Sequence, residues 1–438
     1  LGGGDDIAPS AISSLFRGIH MIDALGAAGL DVNTFGNHEF DYGPDNLAGL
    51  IAQSPFAWVS ANVIDRRTGE VFGKDRGAER FVIRDVGGVR VGITGISFRD
   101  LPSSSRTGPD VAVLDPEEAL NEVVPLMRAA GAEIVVVLAH ELSTATEALA
   151  AAVSGVDVYV GDHGLQLLEE PLTVDGAIIT RVGGGLDYLG ELTLRVADGK
   201  VVDWSFTLHD VAALVAAGDL EPHPATLAVI DKYGALAPEI MKEEIGETAT
   251  PLDARVEQVR SGETALGNFF ADVLRAWAGA DAALVNGGGL RGDRIYGPGP
   301  LTREDIFAIM PFGNYAVKLR VTGAQLLAAL EHGVSAVEAL EGHFPQVSGI
   351  AFAFDLTRPA GERVLDVTVG GEPLDLDREY TLATYDFLAD GGSGYTMLVE
   401  AERLISVEAA DLVTSIVIAA IEEAGVIAPE VEGRIRQL

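Results

Sequence analysis

The 438-residue chain has no cysteine, which excludes disulfides and thiolate metal sites and leaves any metal to nitrogen and oxygen donors. Basic residues are scarce: 30 Lys and Arg against 66 Asp and Glu give a net charge of −36. Such a field repels nucleic acid polymers and anionic membrane surfaces. It also repels a small anionic substrate unless bound metals or a few placed arginines intervene. Most of the acidic residues read as solubilising. No apolar run reaches the ~18 residues of a membrane span, although hydrophobic residues make up 48% of the chain, enough for real cores. Low-complexity segments and short internal repeats are missing. So is a recognisable leader: Leu1-Gly2-Gly3-Gly4-Asp5 has neither Met nor a charged segment, and an N-terminal piece is expected to precede it.

The length implies two or three domains. Up to about residue 215, apolar runs alternate with helical patterns. Val91 to Ile96, Ile134 to Ala139 and Val156 to Val160 read as strands covered on both faces. Pro116 to Ala130 and Ser143 to Ser154 read as helices, and Gly190 to His209 as a hairpin turning at Asp198-Gly199. A helical pattern from Ala225 to Glu244 lies in a linker spanning 216–248, and a second unit, 249–438, follows. There Leu266 to Ala278 and Gly323 to Ala339 read as helices and Ala282 to Val285 as a strand. The class is therefore α/β.

Gly36-Asn37-His38-Glu39-Phe40-Asp41 puts an amide, an imidazole and two carboxylates just beyond the strand-like run Val32 to Phe35. Ligands collect at such strand ends in open α/β sheets. An Asn oxygen there can bind a metal ion, and a His held by an Asp three residues on can assist at a phosphoryl group. Of the eight histidines, His38, His140 and His163 each follow a strand-like run and should converge on one sheet edge. Asp5, flanked by glycines ahead of a helical pattern from Ser10 to Leu25, suits either a metal-bridging carboxylate or a turn or cap. In the second unit, Asn286-Gly287-Gly288-Gly289-Leu290-Arg291 allows close approach to an anion, with an Arg that can bind phosphate. Phe312 in Pro311-Phe312-Gly313-Asn314 and Phe387 in Tyr385-Asp386-Phe387 lie near glycine-rich loops and can stack on a flat base.

The Gly36 to Asp41 string resembles the calcineurin-like metallophosphoesterases. The chain as a whole resembles the 5′-nucleotidase family over almost its full length. The resemblance implies an N-terminal metallophosphoesterase β-sandwich flanked by helices, an interdomain helix and a C-terminal substrate domain. It implies two divalent ions (Zn, Mn, Fe or Co), with Asp5 bridging and Asn37, His140 and His163 as further ligands. His38 and Asp41 become the catalytic dyad, and Ser60-Ala61-Asn62-Val63 matches a structural segment. Phe312 and Phe387 would clamp the base, Asn286 would reach a base edge, and Arg291 and Arg260 would bind phosphate. The chain departs from the family in three places. No Asp-x-His, the family's source of both ligands unique to the first metal, lies upstream of Asp5. In Gly161-Asp162-His163-Gly164-Leu165-Gln166, Leu165 cannot ligate and Gln166 falls one position late. Ser393 stands where the family often has the Asp that accepts the ribose hydroxyls, which opens deoxynucleotides or a wider substrate range.

The function implied is metal-dependent release of phosphate from nucleotides, chiefly nucleoside 5′-monophosphates, by attack of a metal-bound water. Nucleotide sugars and cyclic nucleotides stay open as substrates, as does a nucleotide-binding protein with impaired catalysis. The interdomain helix would act as a hinge. The family is typically exported, to the periplasm, cell surface or medium. Oligomeric state is not legible.

Overall fold

The structure, a computed structural model, describes every residue except Pro9, Ser104, Asp162, Gly164 and Leu165. It has the mixed α/β architecture expected and divides into two compact units, Leu1–Ala235 and Leu236–Leu438.

The first unit is built on a six-stranded sheet in the order Val82–Val86, Val89–Ser97, Ile134–His140, Val158–Val160, Ala177–Thr180, Leu172–Val174. Its four central strands are parallel, and its outer pairs are antiparallel. All seven residues of Ile134–His140 are buried, as a strand covered on both faces requires. Side chains alternate along it. Val135, Val137 and Ala139 meet helices Pro116–Ala129 and Ser143–Ala152. Ile134, Val136 and Leu138 face the hairpin Tyr188–Ala197/Lys200–Asp210 through Leu192, Leu194, Val196 and Val201. The sheet is thus sandwiched between helices and a β-ribbon. The hairpin turns at Asp198 (φ 51°) and Gly199 (φ 70°), the double left-handed geometry that Asp-Gly favours.

Three elements differ from the sequence expectation. The helical pattern from Ser10 to Leu25 is two helices, Ala11–Phe16 and Ile19–Ala28, broken where Arg17 and Gly18 take left-handed backbone (φ 48° and 88°). Only Val32–Asn33 of the first strand-like run is paired, to Ala57–Trp58, so Thr34 and Phe35 belong to the turn leading into the site. The pattern from Gly323 ends as an α-helix at Gly333 and continues only as a short turn, Val337–Ala339.

In the second unit a five-stranded sheet runs Pro345–Ser348, Ala282–Asn286, Glu379–Tyr385, Ala316–Thr322, Glu402–Ile405. Helices Ala265–Ala278 and Val413–Ala424 contribute Phe270, Leu274, Val417 and Ile421 to its core. No helix among the described residues is long and apolar enough to cross a membrane.

Helix Pro224–Met241 begins in the first unit, where Tyr233 Oη and Lys232 Nζ both donate to Asp23 Oδ2 at 2.7 Å. Tyr233 also packs edge-on against Phe16 and His20. Burial lowers the His20 pKa to about 4, and Nδ1 of that ring has no hydrogen-bond partner among the described residues. The unfolded chain therefore binds a proton here at higher pH than the folded chain does. The stability contributed is full above about pH 6.5 and is lost as pH falls towards 4. We expect the melting temperature of the wild type to drop across that window. His20→Leu should show a smaller drop, and parallel pH profiles would contradict the assignment.

Candidate active site

At the carboxyl edge of the first unit's sheet, four segments meet. Residues 3–6 precede the first helix, residues 36–41 follow Val32–Asn33, and His140 and His163 end or follow neighbouring parallel strands. Gly4 (φ 86°) and Asp5 (φ 59°) are consecutive left-handed residues, a conformation that turns successive N–H groups towards an anion. The anion is Glu39, fully buried. Its carboxylate accepts from Asp5 N at 2.8 Å, Asp6 N at 2.9 Å and Gly36 N at 2.6 Å. Asp5 is therefore no helix cap; that place belongs to Ser10, whose hydroxyl accepts from Ser13 N. Gly36 is required by close approach, because a Cβ there would collide with Asp5 Oδ1.

Asp5 Oδ1 accepts from His38 N at 2.9 Å, while Oδ2 lies 3.2 Å from His140 Nε2 and 3.9 Å from His163 Nδ1. His163 Nδ1 and His140 Nε2 are 3.0 Å apart, and Asn37 Oδ1 is 3.3 Å from His140 Nε2. Donor atoms of Asp5, His140 and His163 all fall within 4.8 Å of one another. His140 Nδ1 sits 3.0 Å from Gly3 O and donates to it, which fixes the tautomer and turns the Nε2 lone pair into the cluster. Phe98 covers one side, its ring 4.5 Å from that of His163.

Two imidazole nitrogens, a carboxylate and an amide oxygen form a donor set that fits Zn²⁺, Mn²⁺, Fe or Co²⁺. The electrostatics agree. Burial opposes charging of His140, yet Asp5 and Glu39 outweigh it and the His140 pKa is raised. Burial pushes Asp5 up, but His140 and His38 hold it well below the usual carboxylate range. The cluster is a place that favours positive charge. Burial raises Asp6 to about 6, and burial with the Asp5 and Asp6 charges raises Glu39 against the pull of its N–H donors.

Beside the cluster, His38 Nδ1 is 3.0 Å from Asp41 Oδ2, both residues buried, on the short turn His38–Phe40. Further back, Asn62 accepts from Ser97 N at 3.0 Å and donates to Ser97 O at 2.7 Å, while the Ser97 hydroxyl donates to Phe35 O. The Ser60 to Val63 segment thereby pins the turn that carries Asn37 and His38. In the last ligand motif Asp162, Gly164 and Leu165 lie outside the described residues. Gln166 is taken up by Arg181, whose Nη1 donates to its Oε1 at 2.7 Å.

In the second unit, Ala316 pairs with Tyr385, so the loop bearing Phe312 and the short helix Asp386–Ala389 bearing Phe387 meet the sheet at the same end. They are tied there by Asp386 N to Tyr315 O at 2.9 Å and Tyr315 N to Asp386 Oδ1 at 3.1 Å. Both rings are exposed, at 43% and 48%. The Arg291 guanidinium lies 5.4 Å from the Phe312 ring centre, and its Nε donates to Gly288 O at 2.8 Å. Burial and the neighbouring Arg291 lower the Arg260 pKa. Arg260 Nη1 donates to Leu340 O at 3.1 Å, and its Nε has no partner among the described residues. Asn286 is buried. It accepts from the Tyr385 hydroxyl and donates to Gly342 O at 2.7 Å and to Ser393 Oγ at 3.3 Å.

The residues that sequence reasoning passed over are those acting through backbone. Glu39 and the Gly3 carbonyl carry no spacing signal of their own. Phe98 and Arg181 are recognisable only once the strands are in register.

Known proteins resemble this chain over its full length. The 5′-nucleotidase C-terminal domain family matches residues 244–400. The crystal structure of a 5′-nucleotidase precursor from Thermus thermophilus is 30% identical, with 100% of this chain and 89% of that one covered and a TM-score of 0.55. Human 5′-nucleotidase is 27% identical over 100% of this chain and 81% of its own length. The trifunctional nucleotide phosphoesterase protein YfkN of Bacillus subtilis is 29% identical over 100% of this chain, which spans 32% of that relative. The NAD nucleotidase of Haemophilus influenzae, 20% identical, shares the fold with a TM-score of 0.82. The chain belongs to the 5′-nucleotidase family. It is a phosphoric ester hydrolase.

Replacing Glu39 by Gln would put an amide N–H against backbone N–H donors and loosen the 3–6 segment. Mn²⁺ or Zn²⁺ affinity measured by calorimetry should fall about 10- to 100-fold. Unchanged affinity would show that Glu39 does not position Asp5.

Proposed function

We propose that the protein releases phosphate from nucleotides, chiefly nucleoside 5′-monophosphates, with divalent metal ions, one of them held by Asp5, Asn37, His140 and His163. The observation that carries this reading is the convergence of Asp5, His140 and His163 donor atoms within 4.8 Å, beside the buried His38–Asp41 pair. A divalent ion at that cluster supplies Lewis-acid stabilisation of phosphoryl oxygens and lowers the pKa of a bound water. His38, oriented by Asp41 through Nδ1, meets charge developing on the phosphoryl group or the leaving oxygen with its other nitrogen. Glu39 keeps Asp5 in place throughout.

The second unit recognises the nucleoside. Phe312 and Phe387 stack on the base, and Arg260 and Arg291 counter the anionic part of the ligand in a chain otherwise strongly negative. Asn286, occupied by Tyr385, Gly342 and Ser393, braces the sugar-facing loop. Asn314, two residues beyond Phe312, offers its amide to the base edge; among the described residues that side chain has no recorded hydrogen bond. Ser393 presents a neutral hydroxyl in place of a carboxylate, which suits substrates lacking one ribose hydroxyl. Helix Pro224–Met241 serves as the hinge for product exchange. An exported location fits the relatives named from snake venoms.

A panel of nucleotides assayed for phosphate release with Mn²⁺ and with EDTA tests the reading. Metal-dependent release from the 5′-monophosphates is expected, and no release from any nucleotide would overturn it. His38→Ala should lower kcat about 10²- to 10⁴-fold with KM within about threefold. A rise in KM with kcat intact would remove His38 from its role.

A further inference from the structure

The loop Gly391 to Tyr395 is held in an unusual backbone state. Ser393 is left-handed (φ 51°, ψ 21°) between Gly391 and Gly394, each at φ 87°. Left-handed backbone is uncommon for a non-glycine residue, and here it is restrained from outside. The restraint comes from two sides. Asn286 Nδ2 donates to Ser393 Oγ, as described above. His332 Nε2 donates to Ser393 O at 2.7 Å.

His332 is itself fixed. It sits at the end of helix Gly323–Gly333, which begins in a Thr322/Gln325 capping box. Gln325 Nε2 donates to Met397 O at 3.0 Å, tying this helix to the chain just past the loop. The His332 ring lies edge-on to Tyr395 with centres 5.0 Å apart and 4.6 Å from the His343 ring. The Tyr395 hydroxyl donates to His343 O at 2.6 Å. Gly394 crosses the imidazole so closely that a Cβ would lie 2.6 Å from His332 Cε1. On the other side of the loop, a Cβ at Gly392 would lie 2.6 Å from Phe387 Cδ2. One loop therefore links the His332 ring, the Ser393 hydroxyl and the Phe387 ring.

We propose that His332 is a positioning residue for nucleoside recognition. By holding the Ser393 carbonyl it sets the spacing between the hydroxyl that meets the sugar and the aromatic ring that meets the base. This rests on the reading of the Phe387 and Ser393 loop as nucleoside-binding. His332 touches no substrate. Its loss lets the loop leave the left-handed state, so affinity suffers and the phosphoryl chemistry does not.

The test uses the full chain with Mn²⁺ and two substrates: AMP, which needs the loop, and p-nitrophenyl phosphate, which has no nucleoside to recognise. His332→Ala should raise KM for AMP about tenfold, the loss of one hydrogen bond and some order, with kcat within about twofold. Hydrolysis of p-nitrophenyl phosphate should be unchanged. His332→Gln keeps an N–H donor of similar reach and should hold KM within about threefold of wild type, whereas His332→Asn, too short to reach, should behave like Ala. An unchanged KM in the Ala and Asn variants overturns the proposal. So does a parallel fall on both substrates, or a Gln variant no better than Asn. If the Ala variant fails to fold, the Asn and Gln pair decides. If the wild type cleaves p-nitrophenyl phosphate but not AMP, the proposed function fails by itself, and adenosine binding by calorimetry judges His332. Binding weakened in His332→Asn supports the proposal, and binding equal to wild type, or none in wild type, overturns it.

Discussion

The carboxylate of Glu39 is the interaction on which the site depends. A buried carboxylate is costly unless its lone pairs are taken up, and here three backbone N–H groups do so. Two come from the 3–6 segment and one from the 36–41 turn, so a single side chain joins pieces far apart in sequence. The geometry it enforces includes a left-handed aspartate directly after a left-handed glycine. That conformation sends Oδ1 to the His38 amide and Oδ2 to the two imidazoles. The rest follows by extension: Gly36 must be glycine for Asp5 to come that close, and Ser97 and Asn62 must hold the turn from behind. Burial first, and then the neighbouring carboxylates, raise the pKa of Glu39 and Asp6. A cation in the cluster opposes that shift.

Charge works on a second scale. A net charge of −36 opposes the approach of any anionic ligand. The fold answers it locally. Arg260 is partly buried and Arg291 lies near enough to lower its pKa further, which is unfavourable until an anion arrives between such groups. Neither guanidinium pairs with a carboxylate among the described residues. They contrast with Arg363 and Arg434, which are locked to Glu338 and Asp272 and serve the core.

The class of fold was legible because the strands of the first unit are so apolar. Ile134 to Ala139 has no polar residue, and only burial on both faces explains that. His140 was legible for the same reason, since a residue that stops an apolar run in a parallel sheet comes out at the ligand edge, whereas His38 lies on a turn beyond the two-residue strand Val32–Asn33. Local propensity misled where tertiary contacts override it. The apolar stretch from Ser10 reads as one helix, but Arg17 and Gly18 turn it. Asn286 looked like a ligand-facing amide because it stands beside three glycines. Its actual surroundings, Tyr385, Gly342 and Ser393, are 99, 56 and 107 residues away in sequence. No spacing rule anticipates a partner at that distance. Glu39 was hidden in plain view, since its partners are backbone atoms and backbone leaves no trace in sequence.

The two histidines flanking Asp5 show how one residue type is made to do different work. His140 gives its Nδ1 proton to a neutral carbonyl, that of Gly3. Such a partner fixes the ring and leaves a lone pair on Nε2, which is what a cation requires. His38 instead meets the carboxylate of Asp41. An anionic partner can stabilise positive charge on the ring as a proton is taken up, which is what a developing oxyanion requires. Both rings touch Asp5, one through its side chain and the other through its backbone amide. The carbonyl partner comes from a glycine in a segment held by contacts distant in sequence, Glu39 among them, whereas Asp41 arrives three residues along the same turn. His140 therefore depends on long-range order, and His38 on local order. Loosening the 3–6 segment should consequently cost the cluster its cation before it disturbs the His38–Asp41 pair.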